Sequence, residues 1–346
     1  MRAIAKTLAE WTRQELPFAL ATVVSVEGSH PRAPGACLVV SADGTRFAGS
    51  VSSGCLEAEL IDAAPGVVRD RVVREFEFGP EGGPAWRDGL SCGGVIRVRL
   101  EPWWGLSPEP AIRAVGDLVL DWLSAGGGGV VLSRGDRHYA VGEDGRAAGD
   151  PSGFSAGEIE AASERLAREA SSVVAPGERG ACFVRMLPPP PRLVIVGAVD
   201  IADALVSMSH RCGYRTLVID PRRHYADGRR FAEAPGALVN AWPQEAIPQL
   251  GLGPRDAAVV LTHDPKIDDA ALGTLLSTDV GYLGALGSAR SHRERLERLR
   301  GLGLASDSLA RIEGPAGVRL GRADAASIAL GILAGLVRRA GKAELE

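Results

Sequence analysis

Two short stretches of this chain set a thiol beside glycine. In GSVSSGCLEAEL, Gly49 to Leu60, Cys55 follows Gly54 and precedes Glu57 by two residues; in LSCGG, Leu90 to Gly94, Cys92 is followed by Gly93 and Gly94. Glycine lets the backbone come close to a bound group, and its free N–H can hold oxygen atoms or draw down a neighbouring thiol pKa. Cys55 and Cys92 are therefore the candidate ligand thiols, with Gly54, Gly93 and Gly94 as the open backbone around them and Glu57 as a further candidate of the same binding site. A catalytic thiol is the alternative, with Glu57 or His263 as its base. The other three cysteines have structural readings. Cys37 in ACLVV and Cys182 in ACFVRM lie in strand-like apolar runs, and Cys212 ends a helix before Gly213. An odd count without a C-x-x-C pair argues against a disulfide framework or a closed zinc site.

Four further stretches could hold anions. GSHPRAPGA, Gly28 to Ala36, is stiffened by two prolines and presents Arg32, a planar fork suited to an oxyanion; the alternative leaves Arg32 in solvent. THDPKIDD, Thr262 to Asp269, puts His263 at the end of an apolar strand, placed to bind an anionic group or move a proton. Its alternative is a surface histidine with Asp264 and Asp268 capping turns. GALGSARSHRERL, Gly284 to Leu296, offers Ser288 or Ser291 at a helix N-terminus with Arg290, His292 and Arg293 close behind, a phosphate-site pattern that opposes the helix dipole. VIVGAVDIADAL, followed about twenty residues later by Asp220, has the outline of a dinucleotide-binding turn. Only Gly197 survives of its three glycines. Val199 and Ala202 occupy the other two places, and a Cβ at the second opposes the approach of a pyrophosphate. Gly197 and Asp220 are thus weak candidates for NAD(P) binding.

These residues need elements to position them. MLPPPPRL, Met186 to Leu193, contains four successive prolines and marks the clearest boundary. Before it, 18–26, 36–41 and 45–51 read as strands, with SADGT as a hairpin turn, and VIRVRLEP reads as a half-exposed strand in which Arg97 and Arg99 face water. Helices are expected over 110–123 and 156–170, with a hairpin between them. After the prolines, strands that are apolar throughout alternate with helices, which predicts a parallel sheet covered on both faces. The expected fold is α/β: a C-terminal Rossmann-like parallel-sheet domain, 188–346, and an N-terminal mixed α+β domain, 1–105. Residues 106–187 are either a small middle subdomain or an extension of the first.

Composition narrows the function classes. The 346 residues carry a net charge of −4, so nucleic acid is not an expected partner. The start of the chain has charges where a signal peptide would be apolar, and no run approaches the ~18 apolar residues of a membrane span. The expected location is the cytoplasm, with reduced thiols.

Taken together, the segments GSHPRAPGACLVVSADGTRFAGSVSSGCLEAEL, LSCGGVIRVRLEP, THDPKIDDAAL, GYLGALGSARSHRERLERLRGLGL and GPAGVRLGRADAASIALGILAGLV resemble the XdhC/CoxI family of maturation factors for molybdenum hydroxylases. Ser53 and Ala58 stand where that family usually has glycine. The resemblance implies a chaperone rather than a catalyst. Such a protein binds the molybdenum cofactor (molybdopterin), shields it, supports its sulfuration, and hands it to an apo molybdenum hydroxylase of the xanthine or CO dehydrogenase type. A cysteine desulfurase is a further implied partner. The residue chemistry agrees: thiolate is the softest ligand the chain offers to molybdenum, so Cys92 first and Cys55 second are the candidate metal contacts. Arg32 or the turn near Ser288 would take the pterin's phosphate. The competing class is a nicotinamide-dependent oxidoreductase. ASIALGILAGLV predicts an apolar terminal helix that packs either on the sheet or on a second copy of the chain in a homodimer.

Overall fold

The structure, a computed structural model, describes residues 1–28, 32–52, 54, 56–79, 94–166, 173–175, 181–322 and 324–343. The chain divides into two compact units, Met1–Pro189 and Pro190–Glu346.

In the first unit, the alternating and apolar runs become two five-stranded antiparallel sheets. Helix α1 (Ala5–Arg13) precedes β1 (Phe18–Glu27), β2 (Cys37–Ser41) and β3 (Phe47–Gly49), then α2 (Glu57–Asp70), β4 (Arg74–Phe78) and β5 (Val95–Pro102). Their order is β3-β2-β1-β5-β4. The β2–β3 turn forms where Asp43 accepts hydrogen bonds from the Ser41 hydroxyl at 2.5 Å and the Thr45 N–H at 3.0 Å, next to Gly44 at φ +71°. Next come α3 (Pro110–Ala125), β6 (Gly129–Arg134), β7 (Arg137–Gly142), β8 (Ala147–Gly149), α4 (Ala156–Leu166), β9 (Val173–Ala175) and β10 (Cys182–Leu187). The second sheet runs β8-β7-β6-β10-β9.

Period-two alternation decides what each face of the first sheet meets. Ala19, Ala21, Val23, Ile96, Val98 and Leu100 pack under α2 through Leu60, Ala64 and Val67. On the opposite face, Phe18, Leu20 and Val39 pack with Trp103, Trp104, Val119, Trp122 and Val131. That second cover corrects the expectation for β5. Arg97 is exposed and pairs with Glu77 at 2.7 Å, but Arg99 is buried and bonded to Glu101 at 3.0 Å and to the Gly135 carbonyl. A strand that reads as half-exposed is buried on both faces from Val98 to Glu101 because the second sheet lies over its polar side there.

The second unit contains β11 (Arg192–Val196), α5 (Asp200–Arg211), β12 (Arg215–Ile219), β13 (Ala237–Val239), α6 (Pro243–Ala246), β14 (Ala257–Val260), α7 (Pro265–Leu276), β15 (Tyr282–Ala285), α8 (Ala289–Gly301), α9 (Ser306–Leu309), β16 (Ile312–Glu313) and α10 (Ala325–Ala343). Its six strands are all parallel, in the order β13-β12-β11-β14-β15-β16. This is the doubly wound Rossmann order, which reverses between β11 and β14. One face packs Val194, Val196, Ala258 and Val260 against Leu272, Leu275 and Leu299; the other packs Leu193, Ile195 and Val259 against Leu205, Val206, Ile332 and Leu336. Helix α10 therefore covers the sheet, although Leu330 and Val337 on its outer side stay exposed. Among the described residues no helix is long and apolar enough to cross a membrane.

Candidate functional site

In the first unit the candidate site is a loop organised by one carboxylate. Glu57, the first residue of α2, is 8% exposed. Its Oε1 accepts from the Ser50 hydroxyl at 2.8 Å and from the N–H groups of Val51 and Ser52 at 3.0 Å each. Its Oε2 accepts from the Ser52 hydroxyl at 2.5 Å and from the N–H of Gly54 at 2.9 Å. Burial opposes ionisation of this carboxyl, but the donors from Ser52 and Ser50 more than offset it and hold the pKa at about 2. A carboxylate this saturated is a poor proton acceptor near neutral pH. Its physical role is to fix the loop that leads to Cys55.

Gly54 has φ +119°, a conformation that side chains rarely adopt, and among the described residues beyond its chain neighbours no atom lies within 4 Å of where its Cβ would be. The loop therefore presents bare backbone to open space. Cys55, Cys92 and Gly93 lie outside the described residues, while Gly94 is buried just before β5. Arg32 is exposed, ahead of a turn in which the Gly35 N–H donates to the Val23 carbonyl at 2.8 Å.

The first unit also holds a polar seam that the sequence does not announce. Cys37, read as a small hydrophobe, is indeed buried, but Arg185 donates to its sulfur at 3.1 Å and to the Thr22 hydroxyl at 2.5 Å. Burial opposes ionisation of Cys37; the amino terminus and Arg185 outweigh it and hold the thiol below its ordinary pKa. Nearby, His138 meets Ser133 at 2.9 Å and Glu101 at 3.4 Å, and burial drives its pKa down to about 4. Arg185 is 148 residues from Cys37, so no local spacing could have paired them.

In the second unit the candidate residues gather at the carboxyl ends of the strands, where open α/β sheets bind ligands. Gly197 follows β11 at φ +109°, and a Cβ there would stand 2.6 Å from the Thr262 methyl after β14. His263, next in the chain, is exposed and takes the left-handed φ of 59°. Asp264 caps α7 by accepting from the Lys266 N–H at 3.0 Å, so that helix starts at Pro265. Asp268 caps nothing: it is buried, bonded by the Thr262 hydroxyl, and 3.6 Å from Arg295. Ser288 caps α8, accepting from the Ser291 N–H at 3.1 Å.

Asp220 follows β12, where a nucleotide ribose would be read, but both its oxygens are engaged. Oδ2 accepts from the Ala198 N–H at 2.9 Å and from Arg222 at 2.7 Å, and Oδ1 accepts from Arg222 at 2.9 Å. Burial raises its pKa, yet Arg222 and the Ala198 N–H outweigh that and lower it. A ribose hydroxyl would have to displace Arg222.

The two halves of the chain match separate family models. Residues 193–336 match one described as the XdhC Rossmann domain, and residues 11–79 match one described as the XdhC and CoxI family. The chain is 26% identical over 325 residues to a Bacillus subtilis protein described as a probable component of xanthine dehydrogenase, covering 92% of each. It is 27% identical over 321 residues to the molybdenum cofactor insertion chaperone PaoD of Escherichia coli, covering 91% of this chain and 81% of that one. A crystal structure described as a xanthine dehydrogenase from Bacillus halodurans is similar with a TM-score of 0.76 and 25% identity, over 98% of this chain and 96% of the other.

Proposed function

The chain belongs to the XdhC and CoxI family, and from that premise we propose that it binds the molybdenum cofactor, protects it, supports its sulfuration and delivers it to an apo molybdenum hydroxylase of the xanthine or CO dehydrogenase type. The observation that carries this reading is the Glu57 loop. Five donors from Ser50 to Gly54 converge on one carboxylate and leave Gly54 as open backbone beside Cys55. The residues fit the group. Thiolates at Cys92 and Cys55 suit a sulfur-ligated molybdenum, and glycine at 54, 93 and 94 leaves room for a large flat group beside them. When bound, the cofactor supplies the metal centre that the client enzyme uses. The chain's own residues hold it and let it go, which calls for few permanent metal bonds. A cysteine desulfurase is the proposed sulfur source.

Reconstitution tests delivery. Protein purified from a molybdopterin-producing host is mixed with an apo-enzyme of the xanthine dehydrogenase type, and recovered activity is followed. Wild type is expected to restore activity and Cys92→Ala to fail; equal restoration by both, no better than free cofactor, sinks the proposal.

A nicotinamide-dependent oxidoreductase is the second reading, favoured by the doubly wound strand order. The Asp220–Arg222 pair and the Val199 side chain weigh against it. Absence of any fluorescence change on titration with NADH and NADPH at high concentration removes it.

A further inference from the structure

The phosphate-type pattern at the start of α8 names the exposed Arg290 and Arg293 as its guanidiniums, but the geometry favours another arginine. Arg290 is exposed and its Nε donates to Glu294 at 2.9 Å, one turn along the surface. Arg295 lies two turns after Ser288, and helical side chains lean toward the N-terminus. Its guanidinium accordingly runs back beneath the first turn. The residue is 3% exposed, and Nη2 donates to the Leu286 carbonyl at 2.8 Å, two residues ahead of the cap.

Two of its nitrogens, Nε and Nη1, are buried without a hydrogen-bond partner. The carboxylate paired with it, Asp268, stands 3.6 Å away, beyond hydrogen-bond length, with one oxygen taken by Thr262. Burial raises the pKa of Asp268, which weakens its hold as a counter-ion. Buried guanidinium donors are costly to leave unmade, and the nitrogen of this group nearest the Gly287 backbone is Nη2.

The backbone beside this cation is shaped to admit an acceptor. Gly287 has φ +143°, which excludes a side chain, and the place of its missing Cβ lies 3.4 Å from Ser291 Cβ, 3.7 Å from Arg295 Nη2 and 3.8 Å from the Ser291 hydroxyl. Gly287 stands at the N-terminus of a thirteen-residue helix, whose dipole and leading N–H groups attract negative charge.

We propose that Gly287, the leading N–H groups of α8, the Ser291 hydroxyl and Arg295 form a binding site for a tetrahedral oxyanion of the phosphate class. Arg295, not Arg290, supplies its charge. The proposal deepens the cofactor-handling reading and rests on it for one point, that the phosphate met in the cell is the cofactor's own. Arg295 is easily passed over in the sequence because it falls in the charged run RERLERLR, where any one arginine looks like surface.

The test uses the full chain and titrates inorganic phosphate and pyrophosphate by calorimetry at fixed ionic strength, with chloride as the control. Wild type is expected to bind both above the chloride background. Arg295→Met is expected to weaken binding at least about tenfold, the loss of a charged hydrogen bond, and Arg290→Ala to leave it within about twofold. Since Arg295→Met also unpairs Asp268, the double variant Asp268→Asn/Arg295→Met is measured beside it. Hydrogen exchange on unmutated protein supplies a readout independent of folding defects: phosphate should slow the amides around 286–291. Binding lost in Arg290→Ala but kept in Arg295→Met, or no slowing around 286–291, overturns the proposal. Pterin content of the same preparations separates the two claims. Pterin-free wild type that still binds phosphate defeats the cofactor reading alone, and pterin-bearing protein indifferent to residue 295 in phosphate binding defeats this site alone.

Discussion

The two units bury their polar groups in opposite ways. In the first, charged side chains lie in mid-sheet: Arg99, Glu101, His138 and Arg185 are each no more than 4% exposed, sandwiched between two antiparallel sheets. In the second, the buried part of the sheet is apolar apart from Thr216 in β12, and the buried charges lie at strand ends, Asp220, Asp268 and Arg295 at the carboxyl side and Asp256 just before β14. Antiparallel strands alternate, so a polar side chain on a covered face has nowhere to go but inward. Parallel strands covered by helices on both faces exclude polar residues until the strand ends. Buried charge in the first unit therefore locks packing between sheets, whereas in the second it gathers at the ends of the strands.

Variants that strike the seam should cost most. Glu101→Ala leaves Arg99 buried without its carboxylate and is expected to destabilise the first unit by about 3–5 kcal/mol. Urea unfolding followed by tryptophan fluorescence reads this, since Trp103, Trp104 and Trp122 report on that unit. A loss under about 1 kcal/mol would make the seam incidental.

The next effect is a pH dependence. His138 titrates near 6.5 unfolded and at about 4 folded. Between those values the unfolded chain binds the extra proton, so stability is complete above pH 6.5 and falls as the pH drops toward 4, by up to about 3 kcal/mol. His138→Gln should flatten the melting-temperature profile over that window; an unchanged profile rejects the assignment.

A smaller change is expected at the loop. Glu57→Gln keeps the shape but weakens the acceptor for Ser50, Ser52 and Gly54, at about 1–3 kcal/mol, with faster amide exchange around 50–56. Smallest of all, Arg290→Ala removes an exposed, solvent-screened pair in the second unit and should leave the urea-unfolding midpoint unchanged; a clear drop would overturn this.

The same contrast explains what the sequence disclosed. Apolar runs such as VIVG and AAVV are read directly as parallel strands, while residue type offers Asp264 and Asp268, or Ser288 and Ser291, equally as caps, and the fold uses the first of each pair. Arg99 misleads because its neighbours alternate as a solvent-facing strand would, and the sheet that covers it comes from residues 129–187. Cys37 misleads likewise, since its partner Arg185 is distant in the chain. Glu57 was legible as important from its place after Gly54 and Cys55. That its oxygens serve the loop itself depends on how the backbone of 50–56 curls, which spacing does not encode.

The central claim, that this chain carries the molybdenum cofactor, is tested most directly by pterin content. Protein from a molybdopterin-producing host is oxidised to release the fluorescent pterin, and the yield is compared between wild type, Cys92→Ala and Cys55→Ala. The account predicts near-stoichiometric pterin in wild type and its loss in Cys92→Ala, with a lesser loss in Cys55→Ala. Wild type free of pterin, or equal pterin in all three, would contradict it.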